Sequence, residues 1–223
     1  PFVCHGLSLS LGGPTLLDES LLRTIKAFMA EHGMGLYTEH LAWCSDDSHL
    51  YNLLPIPFTE EAVHWTAARI RRTQDILGMQ IGLENASYYV APPGAEMSEA
   101  DFINAVIAEA DCLLHLDVNN IYVNSRNFGF AALDFMQALP LERTCYIHVA
   151  GHHTEPDGLL IDTHGAGVVD PVWALLEAAY ARTGPVPTCL ERDFNIPDLG
   201  ALTAEVEIIE RIQAPFRRER KVA

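Results

Sequence analysis

The chain has 223 residues, 49% of them apolar, enough for one domain with a substantial core. Its formal charge of −16, from 30 acidic against 14 basic residues, argues against nucleic-acid binding, which calls for a basic face. No apolar run approaches the roughly 18 residues of a membrane span. Five cysteines (Cys4, Cys44, Cys112, Cys145 and Cys189) without a Cys-x-x-Cys pair argue against a disulfide framework and for a reducing, cytoplasmic setting.

The pattern along the chain is strand, loop, helix, repeated six times. Residues 1–5 read as a strand and residues 18–31 as an amphipathic helix, with Leu21, Leu22, Ile25 and Phe28 at helical spacing. Residues 35–40 form the next strand, and Thr59 or a neighbour caps a helix that runs to about residue 77. A strand over 79–85 is followed by a helix over 98–110, opened by the Ser98-x-x-Asp101 cap. Residues 112–117 are almost wholly apolar, as expected of a strand covered on both faces. Helix 131–139 and strand 144–149 follow. Asp170-Pro171 opens a helix over 170–182, with Pro in its first turn. The last unit is strand 187–191 and helix 197–212. No linker divides the chain, and residues from about 214 to 223 read as a solvated basic tail.

Alternating strands and helices imply an α/β fold with a parallel sheet and outer helices. The expected architecture is a TIM (β/α)8-type barrel. Such barrels typically take about 250 residues, so six units point to a barrel whose first two β/α units lie outside this chain.

Each of the six strands ends in a residue that binds metals: His5, His40, Glu84, Asp117, His148 and Glu191. In a (β/α) barrel the C-terminal strand ends open onto one face, where active sites sit, so these six side chains would converge. His5, His40 and Glu84 suit a divalent first-row metal, and zinc accepts the same donors. Glu84, Asp117, His148 and Glu191 form a harder set that favours iron or manganese, with Glu84 able to bridge two ions. Glu84, Asp117 and His148 are therefore the candidate catalytic residues. In Asp162-Thr163-His164, the two outer side chains face one side of an extended segment, and Asn120 is placed to join them. Asn85 and Asn119 read as residues that orient the ligands. His152 reads as a substrate contact, a supporting residue or an outer ligand. His115 faces the same side as Asp117, one layer deeper, and reads as a hydrogen-bonded core histidine. His32, His49, His64 and His153 read as surface residues.

These residues lie in motifs that carry a resemblance. His5-Gly6-Leu7-Ser8-Leu9-Ser10-Leu11-Gly12 resembles an HGxxLSxG stretch, and Glu39-His40-Leu41-Ala42-Trp43 an SEHLAW motif with Thr38 in place of Ser. Leu83-Glu84-Asn85-Ala86-Ser87 resembles LENxS, and Leu116-Asp117-Val118-Asn119-Asn120-Ile121-Tyr122-Val123 matches LDVNNxYV. His148-Val149-Ala150-Gly151-His152, Asp162-Thr163-His164-Gly165 and Asp170-Pro171-Val172-Trp173 complete the series. Together they resemble the DUF692 or UPF0276 family, the multinuclear non-haem iron-dependent oxidative enzymes.

That resemblance implies a TIM barrel similar to endonuclease IV and xylose isomerase. It implies two or three irons in mixed Fe(II)/Fe(III) valence and dioxygen as co-substrate. The implied substrate is cysteine in a ribosomally synthesised precursor peptide, and the implied partner is a small protein that binds the peptide leader. The implied ligand sets are His5, His40 and Glu84 for one ion, Glu84, Asp117, His148 and Glu191 for a second, and Asp162 and His164 with Asn120 for a third. Two rivals use the same barrel. A zinc phosphodiesterase conflicts with the −16 charge, and a sugar isomerase would want a lysine at the metal, where the chain offers only Lys26 and Lys221. A non-enzymatic metal- or peptide-binding role is a further alternative.

Overall fold

The computed structural model describes residues 2–46 and 48–217. The strands in chain order are β1 (Cys4–Gly6), β2 (Tyr37–His40), β3 (Trp43–Ser45), β4 (His49–Leu54), β5 (Gly82–Glu84), β6 (Leu113–Asp117), β7 (Thr144–Ala150), β8 (His153–Thr154), β9 (Leu160–Ile161) and β10 (Thr188–Glu191). The helices are α1 (Glu19–His32), α2 (Glu60–Leu77), α3 (Glu99–Ala110), α4 (Val118–Phe128), α5 (Ala132–Ala138), α6 (Asp170–Thr183) and α7 (Leu199–Gln213).

Helix ends follow local chemistry. The side chains of Asp18, Thr59, Ser98 and Asp198 each accept a hydrogen bond from a backbone N–H in the first turn of the helix they open. Gly33, Gly78 and Gly129 end α1, α2 and α4 in the left-handed conformation.

Six strands form one parallel sheet in the order β1-β2-β5-β6-β7-β10. Its outward residues, such as Leu83, Leu114, Leu116, Ile147 and Val149, are buried in one core with Ala67 and Ile70 of α2, Phe102 and Val106 of α3, and Leu176 and Ala179 of α6. The sheet is strongly curled. His5 on β1 and His148 on β7 are four strand intervals apart, which is about 19 Å in a flat sheet at about 4.8 Å per interval. Their ring centroids lie 5.2 Å apart. Among the described residues β1 and β10 remain the two edges, so the sheet is a curled half-barrel of six parallel strands. A cavity of about 550 Å³ lined by Phe2, Tyr146, Leu190 and Ile209 lies between those edges.

All six expected strands and six expected helices are present, within a few residues of their expected bounds. Two hairpins and one helix were not anticipated. β3–β4 and β8–β9 are antiparallel hairpins outside the main sheet. The asparagine-rich segment after β6, for which no element was expected, is helix α4. It forms because Asp117 is at once the last residue of β6 and the N-cap of α4, with Oδ1 accepting from the backbone N–H of Asn120 at 2.6 Å. The expected tail is partly structured: residues 214–216 form a 3₁₀ turn with Phe216 near Tyr180, and residues 218–223 lie outside the described set.

One close approach ties the fold to the site. Gly151, after β7, lies under the backbone of residues 166–167, and a Cβ there would collide with the carbonyl of Ala166 and sit 2.6 Å from that of Gly167. The Gly151→Ala variant should lose about 1–3 kcal/mol through overpacking and displace the 162–167 loop. Thermal melting checks this, and an unchanged Tm would show that the loop yields without cost.

Candidate metal centre

Strand alternation sends His5, His40, Glu84, His115, Asp117, His148 and Glu191 into the interior of the curl, while the residues between them pack outward. A shift in register between β6 and β7 leaves Cys145 as an extra residue, after which Asp117 stands opposite His148. The centre of the group is Glu84, 2% exposed. Its Oε2 lies 3.0 Å from His5 Nε2, 3.5 Å from His40 Nε2 and 3.7 Å from His115 Nδ1. Its Oε1 lies 3.3 Å from His148 Nδ1, which is 3.0 Å from Glu191 Oε2. Glu191 Oε2 is in turn 3.4 Å from His164 Nδ1.

These atoms are close but poorly directed at one another. Glu84 Oε2, Asp117 Oδ2, His148 Nδ1, Glu191 Oε2 and both ring nitrogens of His115 are buried without a hydrogen-bond partner. Buried polar atoms are normally paired. Near contacts with misaligned donors are what side chains converging on shared cations would show. The donors are imidazole nitrogens and carboxylate oxygens, which suit iron, manganese or zinc, so the residues fit a multinuclear metal site. Three groups have ligand atoms within 4.8 Å of one another: His5, Glu84 and His115; Glu84, Asp117, His148 and Glu191; and His164, Glu191 and Asp193.

A supporting layer holds these side chains in place. His40 Nδ1 donates to the Gly6 carbonyl at 3.1 Å and His5 Nδ1 pairs with Thr38 Oγ1 at 2.8 Å, leaving each Nε2 free to face Glu84. Asn85 clamps the end of β6, donating to the Asp117 carbonyl at 2.9 Å and accepting the Asp117 N–H at 3.0 Å. Asn120 Nδ2 donates to the Asn85 carbonyl. His152 Nδ1 donates to Asn119 Oδ1 at 2.8 Å, and Asn119 Nδ2 donates to Asp162 Oδ1 at 2.8 Å. Ser87 donates to the other Asp162 oxygen. His164 has a left-handed backbone, φ 50°, a strained state for a non-glycine residue.

The electrostatics follow the same layout. Burial would raise Glu84, but the cationic His40 and His148 that face it hold it well below the usual carboxylate range. Burial, with Glu84 and Asp162 nearby, keeps Asp117 well above it. Burial opposes charge on His40, His148 and His164, yet the facing carboxylates lift them to about 9, 11 and 10. Burial pushes His115 well below the ordinary imidazole value.

Residues 1–214 match the family model described as the RiPP precursor modification enzyme MbnB/TglH/ChrH. The chain belongs to this family. A UPF0276 protein of Nitrosospira multiformis is 63% identical over 214 residues, covering 96% of this chain and 76% of the relative. A UPF0276 protein of Alcanivorax borkumensis is 58% identical over 213 residues, covering 94% and 71%. Among solved structures, a 3-keto-D-glucoside 4-epimerase from E. coli superposes with a TM-score of 0.59 at 15% identity, over 96% of this chain and 79% of that one. A D-tagatose 3-epimerase-like protein gives 0.55 at 14% identity, over 96% and 77%. At such identities the likeness establishes a shared barrel-like α/β fold alone.

Several expectations change for this MbnB/TglH/ChrH family member. His164 is faced by Asp162, Glu191 and also Asp193, whose Oδ2 lies 3.0 Å from His164 Nδ1. Asp193 was missed, although its place two residues beyond Glu191 was a signal. Asp162 Oδ1 is 2.7 Å from His164 Nε2, but Ser87 and Asn119 also occupy its oxygens. Asn120 sits in α4, where its Nδ2 donates to the Asn85 carbonyl at 3.1 Å. His115 is not the hydrogen-bonded core histidine expected, because neither nitrogen finds a partner. Lys26 bonds the carbonyl of Ile76 on the helical layer, and Lys221 lies outside the described residues. Among the described residues no helix is long and apolar enough to cross a membrane.

Two predictions follow from the geometry and charges. The Thr38→Val variant should weaken metal binding by about 10- to 100-fold by releasing the His5 ring; isothermal titration with Fe(II) under anaerobic conditions reads this, and equal affinity would remove Thr38 from the site. Imidazoles raised in the folded state stabilise it fully below their unfolded pKa, about 6.5, and that stabilisation is lost as pH rises through about 9 to 11. Chelator-stripped protein should therefore show a Tm that falls over this alkaline range, and a flat profile would contradict the assigned ion pairs.

Proposed function

We propose that this protein uses iron and dioxygen to modify cysteine residues oxidatively in a ribosomally synthesised precursor peptide. The observation that carries the reading is the divided approach to Glu84: Oε2 faces His5, His40 and His115, while Oε1 faces His148. A carboxylate so placed is able to bridge two ions. The matched family, described as modifying RiPP precursors, supplies the substrate class.

In this reading His5, His40 and Glu84 hold one ion, and Glu84, Asp117, His148 and Glu191 a second. His164 and Glu191 hold a third, with Asp162 and Asp193 beside them. Iron at these positions, in mixed Fe(II)/Fe(III) valence, would supply one-electron exchange with dioxygen. Glu84 and Asp117, 2% and 0% exposed, keep bulk water from the inner pair. The His152–Asn119–Asp162 chain orients the outer carboxylate. The open side lies at Asp193, beside Phe194 and Ile196, which are 64% and 62% exposed and offer apolar contact for a peptide. A small partner protein that binds the peptide leader completes the proposal.

The test is metal analysis of anaerobically purified protein, Mössbauer spectroscopy and oxygen uptake with a cysteine-bearing precursor peptide. Two or three irons per chain and peptide-dependent uptake support the reading; zinc alone with no uptake overturns it. The Glu84→Gln variant should lose bound metal and all turnover. Full iron content with normal oxygen use in that variant would refute the bridging role.

A further inference from the structure

Below Glu84 lies His115, fully buried and outside every motif that tied the chain to its family. Both of its ring nitrogens lack a hydrogen-bond partner. A histidine kept for packing would be expected to satisfy at least one of them, since burying an unpaired polar group opposes folding. The ring is not in an apolar pocket either. It stands edge-on to His148 at 4.0 Å between centroids, to His5 at 5.3 Å and near Tyr146 at 5.3 Å.

The distances point to a shared ion. Two donors bound to one cation at about 2.1 Å each lie roughly 3.0–4.2 Å apart for bond angles from 90° to 180°. From Glu84 Oε2, His5 Nε2 is at 3.0 Å and His115 Nδ1 at 3.7 Å. The second distance is too long for a hydrogen bond and falls within the range for two ligands of one ion. The donor atoms of His5, Glu84 and His115 all lie within 4.8 Å of one another.

We propose that His115 is an inner ligand of the ion held by His5 and Glu84, closing that site from the core side. This rests on the reading of Glu84 as a metal ligand. The first ion would then have a protein donor on its buried flank and keep any exchangeable position toward the mouth of the curl, where substrate arrives.

The test is anaerobic titration of the metal-stripped full chain with Fe(II), and with Co(II) as a spectroscopic probe, comparing the wild type with His115→Leu. Leucine keeps the bulk and removes two unpaired nitrogens, so the stripped variant should melt no lower than the wild type. It should bind at least one fewer ion per chain, or bind it more than tenfold more weakly, with an altered cobalt absorption band. His115→Gln serves the same comparison if the leucine variant does not fold. Equal stoichiometry, affinity and cobalt spectrum in the folded variant overturn the assignment of His115 and leave the metal centre standing. A wild type that binds neither metal overturns both.

Discussion

The interior of this protein is organised around one ionised carboxylate that water scarcely reaches. Glu84 is 2% exposed, and burial alone would protonate it. Its charge persists because the raised imidazoles of His40 and His148 face its two oxygens. The carboxylates that face them raise both imidazoles in turn, and burial with nearby anions holds Asp117 well above the usual carboxylate range. The arrangement is a set of compensating charges that cations would satisfy better than protons do, because several donors remain without partners.

That arrangement depends on the curl of the sheet. A flat sheet would place β1 and β7 too far apart for any side chains to meet. Small residues and shared roles permit the close approach. Gly82 has no room for a side chain between Cys145 and Thr38, and Gly151 lets the 162–167 loop pass directly over the end of β7. Asp117 ends a strand, caps a helix and still directs its second oxygen inward without a partner. The asparagines around it satisfy backbone groups at the strand ends, so the ligands are held by side-chain bonds where the ladder stops.

The inner and outer parts of the site differ in a way that suits a reaction on a large substrate. Glu84, His115 and Asp117 are sealed, whereas Asp193 and its neighbours Phe194 and Ile196 are exposed. Glu191 links the two regions, lying near both His148 and His164. In the proposed function, deep ligands would set the metal chemistry and exposed residues at the mouth would meet the peptide.

The sequence by itself determined the six strand–helix units, the caps at Thr59 and Ser98 and the six metal-capable side chains at the strand ends. These depend on local rules: period-two and helical apolar patterns, cap residues and the position of a side chain at a strand end. Its motifs also identified the family. Only the tertiary structure decided which ligands meet. It gave Glu84 different neighbours at each oxygen, brought Asp193 to His164, turned the asparagine-rich segment into α4 and left His115 without a hydrogen bond. Those outcomes depend on distances across the curled sheet between residues remote in the chain, and no local pattern encodes them.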